Sequence, residues 1–340
     1  MFEASPFRNT TRTLSYSNRR DCEWDEVTGE DPGSFALYPP LLAHIVYNIH
    51  VKRIARARQS LIGLSVGDSF GETMFGEPRE VAKRVAKRLI STRRPWRWTD
   101  DTAMALSIVE VLERCEGIDP DVLAEAFARR FAAEPNRGYG QGAYNLLTRV
   151  SSGASWRREA QRLFNGQGSF GNGAAMRAAP IGAYFAEDLD RVRAEALRSA
   201  EPTHTHPDGV AGAVAVAVAA AVVASGTDRS KLLEQVVRLT PPGHTLERLR
   251  RAAEIPLDAK PVDVGNELGT GLDVAAHDTV PFCLWVAARH LDSYEEAIWT
   301  ATSQHGDRDT TGAIVGGIVV LATGEEQIPV LWRAAAEALP

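Results

Sequence analysis

From Pro39 onward the apolar positions of the chain recur with a helical period. Met104, Ile108, Val111 and Leu112 fall at i, i+4, i+7 and i+8, the stripe of one helix face, and Gly117 supplies a stop. Segments 120–132, 156–164, 189–200, 230–238, 246–254, 280–291, 293–302 and 311–322 read the same way, and alternating strand patterns are almost absent. Residues 210–224 differ, being Ala, Val and one Gly with no polar face. That run is too short for a bilayer, which needs roughly 20 residues, so it predicts a helix buried on all sides at the centre of a bundle. Gly212, Gly316 and Gly317 lie inside predicted helices, where each costs about 1 kcal/mol relative to Ala; close helix–helix approach is the expected compensation. No repeat appears at periods of 20–50 residues. The pattern predicts an all-α fold, a compact multi-helix bundle.

Residues 1–36 break this pattern, being polar, mixed in charge and rich in turn formers. They read as an N-terminal arm, either poorly ordered or partner-binding, since Phe2, Phe7, Tyr16 and Trp24 are costly to leave exposed. Residues 37–340 then form one domain, helical from roughly position 50. A hydrophobic share of 44% with 24% charged residues is the balance of a soluble globular protein. The net charge of -6 argues against a nucleic-acid partner, which selects a basic surplus. Cys22, Cys115 and Cys283 are too few and too scattered for a disulfide framework or a zinc site, which fits a reducing compartment. With no secretory signal and no membrane span in view, a cytoplasmic location is expected.

Two segments carry the chemistry. Trp98-Thr99-Asp100-Asp101-Thr102 and Gly306-Asp307-Arg308-Asp309-Thr310-Thr311 each stand immediately before a predicted helix. Either alone is explained by capping, because Thr and Asp suit helix N-termini. Together they concentrate four carboxylates and several hydroxyls, and neighbouring carboxylates repel unless a cation lies between them. Hard divalent cations take oxygen ligands of this kind, and the absence of Cys and His disfavours zinc. Should the segments meet in space, four carboxylates balance two Mg²⁺ ions, with Mn²⁺ the alternative. Gly168-Ser169-Phe170-Gly171-Asn172-Gly173, before a helix expected near Ala174, can turn backbone N–H groups toward an anion. The basic run from Lys83 to Arg97 reads as a solvated face able to attract a diphosphate or an acidic partner.

At these residues the chain resembles the ADP-ribosylglycohydrolase family, from about Ile54 to Leu321. Five motifs stand in the family's order: Gly67-Asp68-Ser69-Phe70-Gly71, Thr99-Asp100-Asp101-Thr102, Gly168 to Gly173, Thr203-His204 followed by Pro207, and Gly306 to Thr311. The resemblance implies that Thr99, Asp100 and Asp101 hold one metal, Asp307 and Thr310 the other, and that Asp309 bridges them. Asp100 or Asp307 is then the general base toward a water, with Asp309 the third catalytic residue. It implies an ADP-ribose cleft contacted by the turn Gly138-Tyr139-Gly140, the loop Gly168, Ser169, Phe170, Gly171, Asn172 and Gly173, and His204. Tyr139 either stacks on a base or packs. Asp68 is expected to order the metal loops. Relatives place a gating glutamate where this chain has Phe75; Glu72 is the expected substitute. The implied activity is Mg²⁺-dependent cleavage of ADP-ribosyl-arginine on a modified protein substrate, reversing the action of an ADP-ribosyltransferase toxin. ADP-ribosyl-serine hydrolysis and physical blocking of a toxin by the arm are the alternatives.

Overall fold

The computed structural model describes residues 40–226 and 229–340, so the arm predicted at 1–36 lies outside the described residues. Along them run α1 (Pro40–Glu72), α2 (Pro78–Ala86), α3 (Asp100–Cys115), α4 (Pro120–Ala133), α5 (Gln141–Ser151), α6 (Trp156–Gly166), α7 (Ala179–Tyr184), α8 (Leu189–Ala200), α9 (Pro207–Ala224), α10 (Leu232–Leu239), α11 (His244–Glu254), α12 (Pro261–Leu268), α13 (Ala276–Arg289), α14 (Tyr294–Ser303), α15 (Arg308–Thr323) and α16 (Val330–Ala335). No β-strand occurs among the described residues, where the bridges Trp96–Ala336 and Gly171–Ala275 stand alone.

The organising contact is between α1 and α15, and glycine sets it. Gly63, Gly67 and Gly71 lie one turn apart on α1 and face Gly316, Gly312 and Arg308 on α15, so the helices run antiparallel. A Cβ at Gly63 would lie 2.5 Å from the Gly316 oxygen, and one at Gly67 would overlap the Gly312 oxygen. Backbone meets backbone there, which is the close approach the glycines within predicted helices pointed to. This antiparallel zipper carries Asp68, near the end of α1, to the N-terminus of α15. Helix α3 packs against both.

Helix α9 is the buried element expected from its Ala/Val run, with Ala211 through Ala221 almost wholly enclosed. It packs against α7, α8, α13 and α15, and a Cβ at Gly182 of α7 would overlap the Ala217 oxygen of α9. By length and apolarity α9 is also the one helix among the described residues that could cross a membrane; here the protein core encloses it.

Among the predicted boundaries that move, three lie near the site or reshape a loop beside it. The last long helix begins at Arg308 instead of 311, because Asp307 takes the N-cap position and Asp309 the first turn, where a carboxylate faces unpaired N–H groups. The helix expected near Ala174 is a 3-10 turn, Asn172–Ala174, and α7 starts only at Ala179, with Pro180 in its first turn. The segment predicted at 156–164 leaves helical geometry at Leu163, and Phe164 and Asn165 take left-handed conformations with φ of 50° and 57°.

Candidate active site

Three helix ends build the site. Asp68 comes from the last turns of α1, Thr99 caps α3 with Asp100 and Asp101 in its first turn, and Asp307 caps α15 with Asp309 in its first turn. One carboxylate oxygen from each of Asp68, Asp101 and Asp309 lies within 4.8 Å of the other two. The two acidic segments, far apart in sequence, therefore meet. Asp68 also orders the first of them: it accepts from the Thr99 amide (2.9 Å) and hydroxyl (2.9 Å) and from the amide (3.1 Å) and hydroxyl of Thr102. The Thr99 hydroxyl is also 3.0 Å from Asp101 Oδ2. With one proton it donates to one carboxylate at a time.

The electrostatic cost is visible in Asp68, Asp100, Asp101 and Asp309. Burial pushes the Asp68 carboxyl up to about 6, against the pull of its four threonine hydrogen bonds. Burial, then Asp68 and Asp307, push Asp100 up to about 8. Asp101 and Asp309 are raised well above the carboxylate range by burial and by their acidic neighbours. Asp101 Oδ1 and Asp309 Oδ1 are buried with no hydrogen-bond partner. Leaving buried acceptors unsatisfied costs about 1–3 kcal/mol each. An all-oxygen donor set, orphaned lone pairs and mutual repulsion are what a hard divalent cation relieves. The cluster could hold a metal ion.

Beside it opens a cleft of about 290 Å³, lined by Asp307 and Asp309 and walled by Glu72, Phe75, Arg97 and Arg137. Glu72 thus stands on the rim where the gate is expected. Burial raises its carboxyl while Arg97 pulls it down.

The other predicted residues divide. Gly138, at φ 93°, lays its backbone against the cluster: a Cβ there would lie 3.4 Å from Asp100 Oδ1. Tyr139 is buried with its ring 5.1 Å from Phe131, so it packs. Gly140 caps α5 in open space. In the glycine turn, the Gly171 amide is taken by Ser169 Oγ (3.2 Å) and the Asn172 amide by Val274 O (3.0 Å), which narrows the predicted anion cradle. Gly168 needs its lack of a side chain, since a Cβ would overlap Thr205 Oγ1. The Asn172 side chain, expected on substrate, is instead buried and donates to Asp307 Oδ2 (2.7 Å) and Thr279 Oγ1 (3.0 Å). His204, expected as a ligand contact, is only 6% exposed behind the turn, 3.1 Å from where a Gly173 Cβ would sit. Its Nδ1 meets Thr203 Oγ1 at 2.7 Å, and that hydroxyl already accepts from Arg177 at 2.8 Å. Burial and then Arg177 push His204 down to about 3, so it is neutral. Thr310 is buried in the first turn of α15.

Sequence reasoning missed Phe164. Its left-handed backbone turns an aromatic ring outward, 47% exposed, against Phe170 at 4.8 Å between centroids. The periodic pattern continued through it, and the signal available was an aromatic followed by Asn165-Gly166, a turn pair.

Comparisons with known proteins agree with this geometry. The ADP-ribosylglycohydrolase family model matches residues 50–338. ADP-ribosylhydrolase ARH3 of Gallus gallus is 31% identical over 275 residues, covering 71% of this chain and 74% of that protein. ADP-ribosylarginine hydrolase Tri1 of Serratia proteamaculans is 25% identical over 288 residues, covering 82% and 74%. A solved "ADP-ribosylglycohydrolase-related protein complex" superposes with a TM-score of 0.62 at 25% identity, covering 84% of this chain and 93% of that one. A family match over most of the chain, joined to converging acidic helix ends beside a cleft, places the protein in the ADP-ribosylglycohydrolase family of hydrolases.

Proposed function

We propose that the chain hydrolyses the bond between ADP-ribose and a modified protein side chain, with Mg²⁺ as cofactor. The observation that carries this reading is the pair of orphaned oxygens, Asp101 Oδ1 and Asp309 Oδ1, in a cluster bordering an open cleft. Thr99, Asp100, Asp101, Asp309 and Thr310 would hold the metal, with Asp68 in the same oxygen cluster, and it would polarise a water and fix the ribose hydroxyls. Asp307 lines the cleft with its orientation fixed by Asn172, so it is the base that takes the water's proton. Positive charge grows at the anomeric carbon as the glycosidic bond breaks, and the proton that Asp307 takes from the water is returned to the departing side chain, so the step balances. The uncommitted amides of the glycine turn receive the diphosphate. The exposed face of Phe164, backed by Phe170, stacks the adenine.

On linkage, Arg97 favours a hydroxyl-linked substrate over the arginine linkage expected from the sequence. Its side chain lines the cleft, where its charge acts on Glu72 and Glu337 without a close ion pair to either. Two cations about 5 Å apart near a protein surface repel by up to about 3 kcal/mol, a penalty that an ADP-ribosyl guanidinium meets and a seryl oxygen does not. The arginine reading keeps one supporting feature, the Glu72 carboxylate on the same rim. The toxin-blocking alternative rests on residues 1–36, outside the described residues. The test incubates the protein with ADP-ribosyl-serine and ADP-ribosyl-arginine peptides, with Mg²⁺ or with EDTA. Mg²⁺-dependent release of ADP-ribose, faster from serine, is expected. No release from either peptide defeats the reading, and faster release from arginine defeats the linkage argument. Arg97→Glu should move the serine-to-arginine ratio toward arginine by about tenfold.

A further inference from the structure

We propose that Glu337 is a positioning residue for the metal cleft, acting through Arg137, and that its loss turns Arg137 into a competitor for the metal. The inference rests on the reading of the acidic cluster as a metal centre.

Arg137 is among the most enclosed charges in the molecule, 5% exposed, yet it lines the cleft that Asp307 and Asp309 also line. Both terminal nitrogens of its guanidinium are held, while Nε is buried with no partner. Nη1 donates to Glu337 Oε2 (2.7 Å) and to Trp98 O (3.2 Å), while Nη2 donates to Glu337 Oε1 (2.9 Å) and Glu134 Oε1 (2.6 Å). Its face lies 3.4 Å from the centroid of the Trp98 ring. The two parallel bonds to Glu337 are the bidentate fork that fixes a guanidinium in both position and plane. A single-contact partner such as Glu134 leaves it free to rotate.

Glu337 is itself fixed, which makes it an anchor. The Trp96 amide donates to Ala335 O (2.7 Å), and the Glu337 amide donates to Trp96 O (2.8 Å), lacing the segment after α16 beside the approach to α3. Trp332 of α16 packs into Phe70, Trp96 and Trp299, with centroids 4.3, 6.4 and 6.1 Å away. The C-terminal segment thus grips residues 96–98, and Thr99 and Asp100 follow directly. On the other side, Gly138 follows Arg137 and rests against Asp100 and Thr99. Main-chain bonds and backbone packing therefore hold both walls, and the ion pair fixes where the Arg137 guanidinium lies between them.

The consequence is specific. A guanidinium freed from Glu337 sits at a cleft whose other lining groups include Asp307 and Asp309. A mobile cation there can neutralise the carboxylates that would bind the metal. Loss of Glu337 should weaken metal binding through the presence of Arg137, so removing Arg137 as well should restore it. A purely structural role predicts the opposite, with the double variant as impaired as the single one or more so.

The experiment is calorimetric titration of Mg²⁺ into the wild-type chain, Glu337→Ala, Glu337→Gln and the double variant Glu337→Ala/Arg137→Met, with thermal melts alongside. Paramagnetic resonance of bound Mn²⁺ serves as a second readout independent of turnover. Glu337→Ala is expected to weaken binding about tenfold and Glu337→Gln, which keeps one hydrogen-bonding oxygen, about threefold. The double variant should return to within threefold of wild type. Wild-type affinity in Glu337→Ala, or a double variant no better than the single, overturns the proposal. Should Glu337→Ala not fold, the same comparison is made between Glu337→Gln and Glu337→Gln/Arg137→Met. A wild-type chain that binds no Mg²⁺ defeats the metal-centre reading itself, a different outcome from unaltered binding in the Glu337 variants.

Discussion

Without metal the acidic cluster makes the protein less stable as pH rises, and Asp309→Asn should reverse part of that loss. A carboxyl whose folded pKa is raised keeps its proton at a pH where the unfolded chain has released it. Its folded form is favoured most below the unfolded value near 4, and that advantage disappears as pH rises through the folded value. Asp100 is moved from 3.8 to about 8 and Asp68 from 3.8 to about 6. At ~1.36 kcal/mol per pH unit, Asp100 alone gives a fall of about 4 kcal/mol between pH 5 and pH 8, with Asp68 adding about 1 between pH 5 and 6. Asp100 is partly exposed, and solvent in the cleft lowers the sum to about 2–3 kcal/mol. That is roughly 3–5 °C in Tm for a domain of this size. Scanning calorimetry in EDTA at pH 5, 6.5 and 8 measures it. Saturating Mg²⁺ should raise Tm most at pH 8, because metal and protons compete for the same oxygens. In Asp309→Asn the amide replaces one charge and can donate to Asp307, so the metal-free variant should melt about 1–3 °C above wild type at pH 8 and lose its Mg²⁺ response. A metal-free Tm that is flat or rising with pH, or an Asp309→Asn chain that melts lower, refutes the reasoning.

Three further outcomes are expected. Asp309→Ala should lower turnover by at least about a hundredfold while circular dichroism stays that of the folded chain; activity within tenfold of wild type at saturating Mg²⁺ removes Asp309 from the reaction. Phe164→Ala should raise KM and weaken ADP-ribose binding with kcat nearly unchanged, by the ~1–3 kcal/mol that base stacking contributes; KM within twofold would mean that adenine lies elsewhere. Gly67→Ala places a Cβ into the Gly312 oxygen and should cost about 3 kcal/mol or more, read as a lower urea midpoint; an unchanged midpoint would show that α1 and α15 can separate.

What the sequence disclosed was mostly what periodicity and composition encode. Amphipathic α3 and α4 bury Ile108, Leu112, Leu123 and Phe127 as their stripes require, and the Ala/Val run of α9 is enclosed. Helices α2, α12 and α16 hold too little pattern to read, and α5 buries only Leu146 and Leu147, too few to mark a stripe. Site residues were legible where chemistry repeats in type, as with Asp100, Asp101, Asp307 and Asp309. They were not legible where the role depends on which neighbour arrives in space. Asn172 has the same side chain whether it faces a ribose or Asp307, and only the packing of Thr279 against it decides. Tyr139 and His204 turned inward for the same reason, toward Phe131 and the back of the glycine turn. Glu337 carried no signal at all, standing after a short helix with no motif around it.

The energetic balance explains why such a site needs so rigid a frame. Helix dipoles at the N-termini of α3 and α15 favour nearby carboxylates by ~0.3–1 kcal/mol each. The threonine hydrogen bonds to Asp68 stop its carboxyl from rising further but leave it at about 6. Neither source matches the several kcal/mol by which burial and mutual repulsion oppose ionising Asp100, Asp101 and Asp309. A cluster of this kind held on flexible loops would relax by spreading apart. Here Asp68 and Asp309 ride on α1 and α15, whose glycine faces leave no space to slide, and the first turn of α3, which carries Asp101, is tied to Asp68 through the amides of Thr99 and Thr102. Packing therefore holds in place a group of charges that electrostatics alone would disperse, and the relief that a divalent ion brings is stored in the fold before the ion arrives.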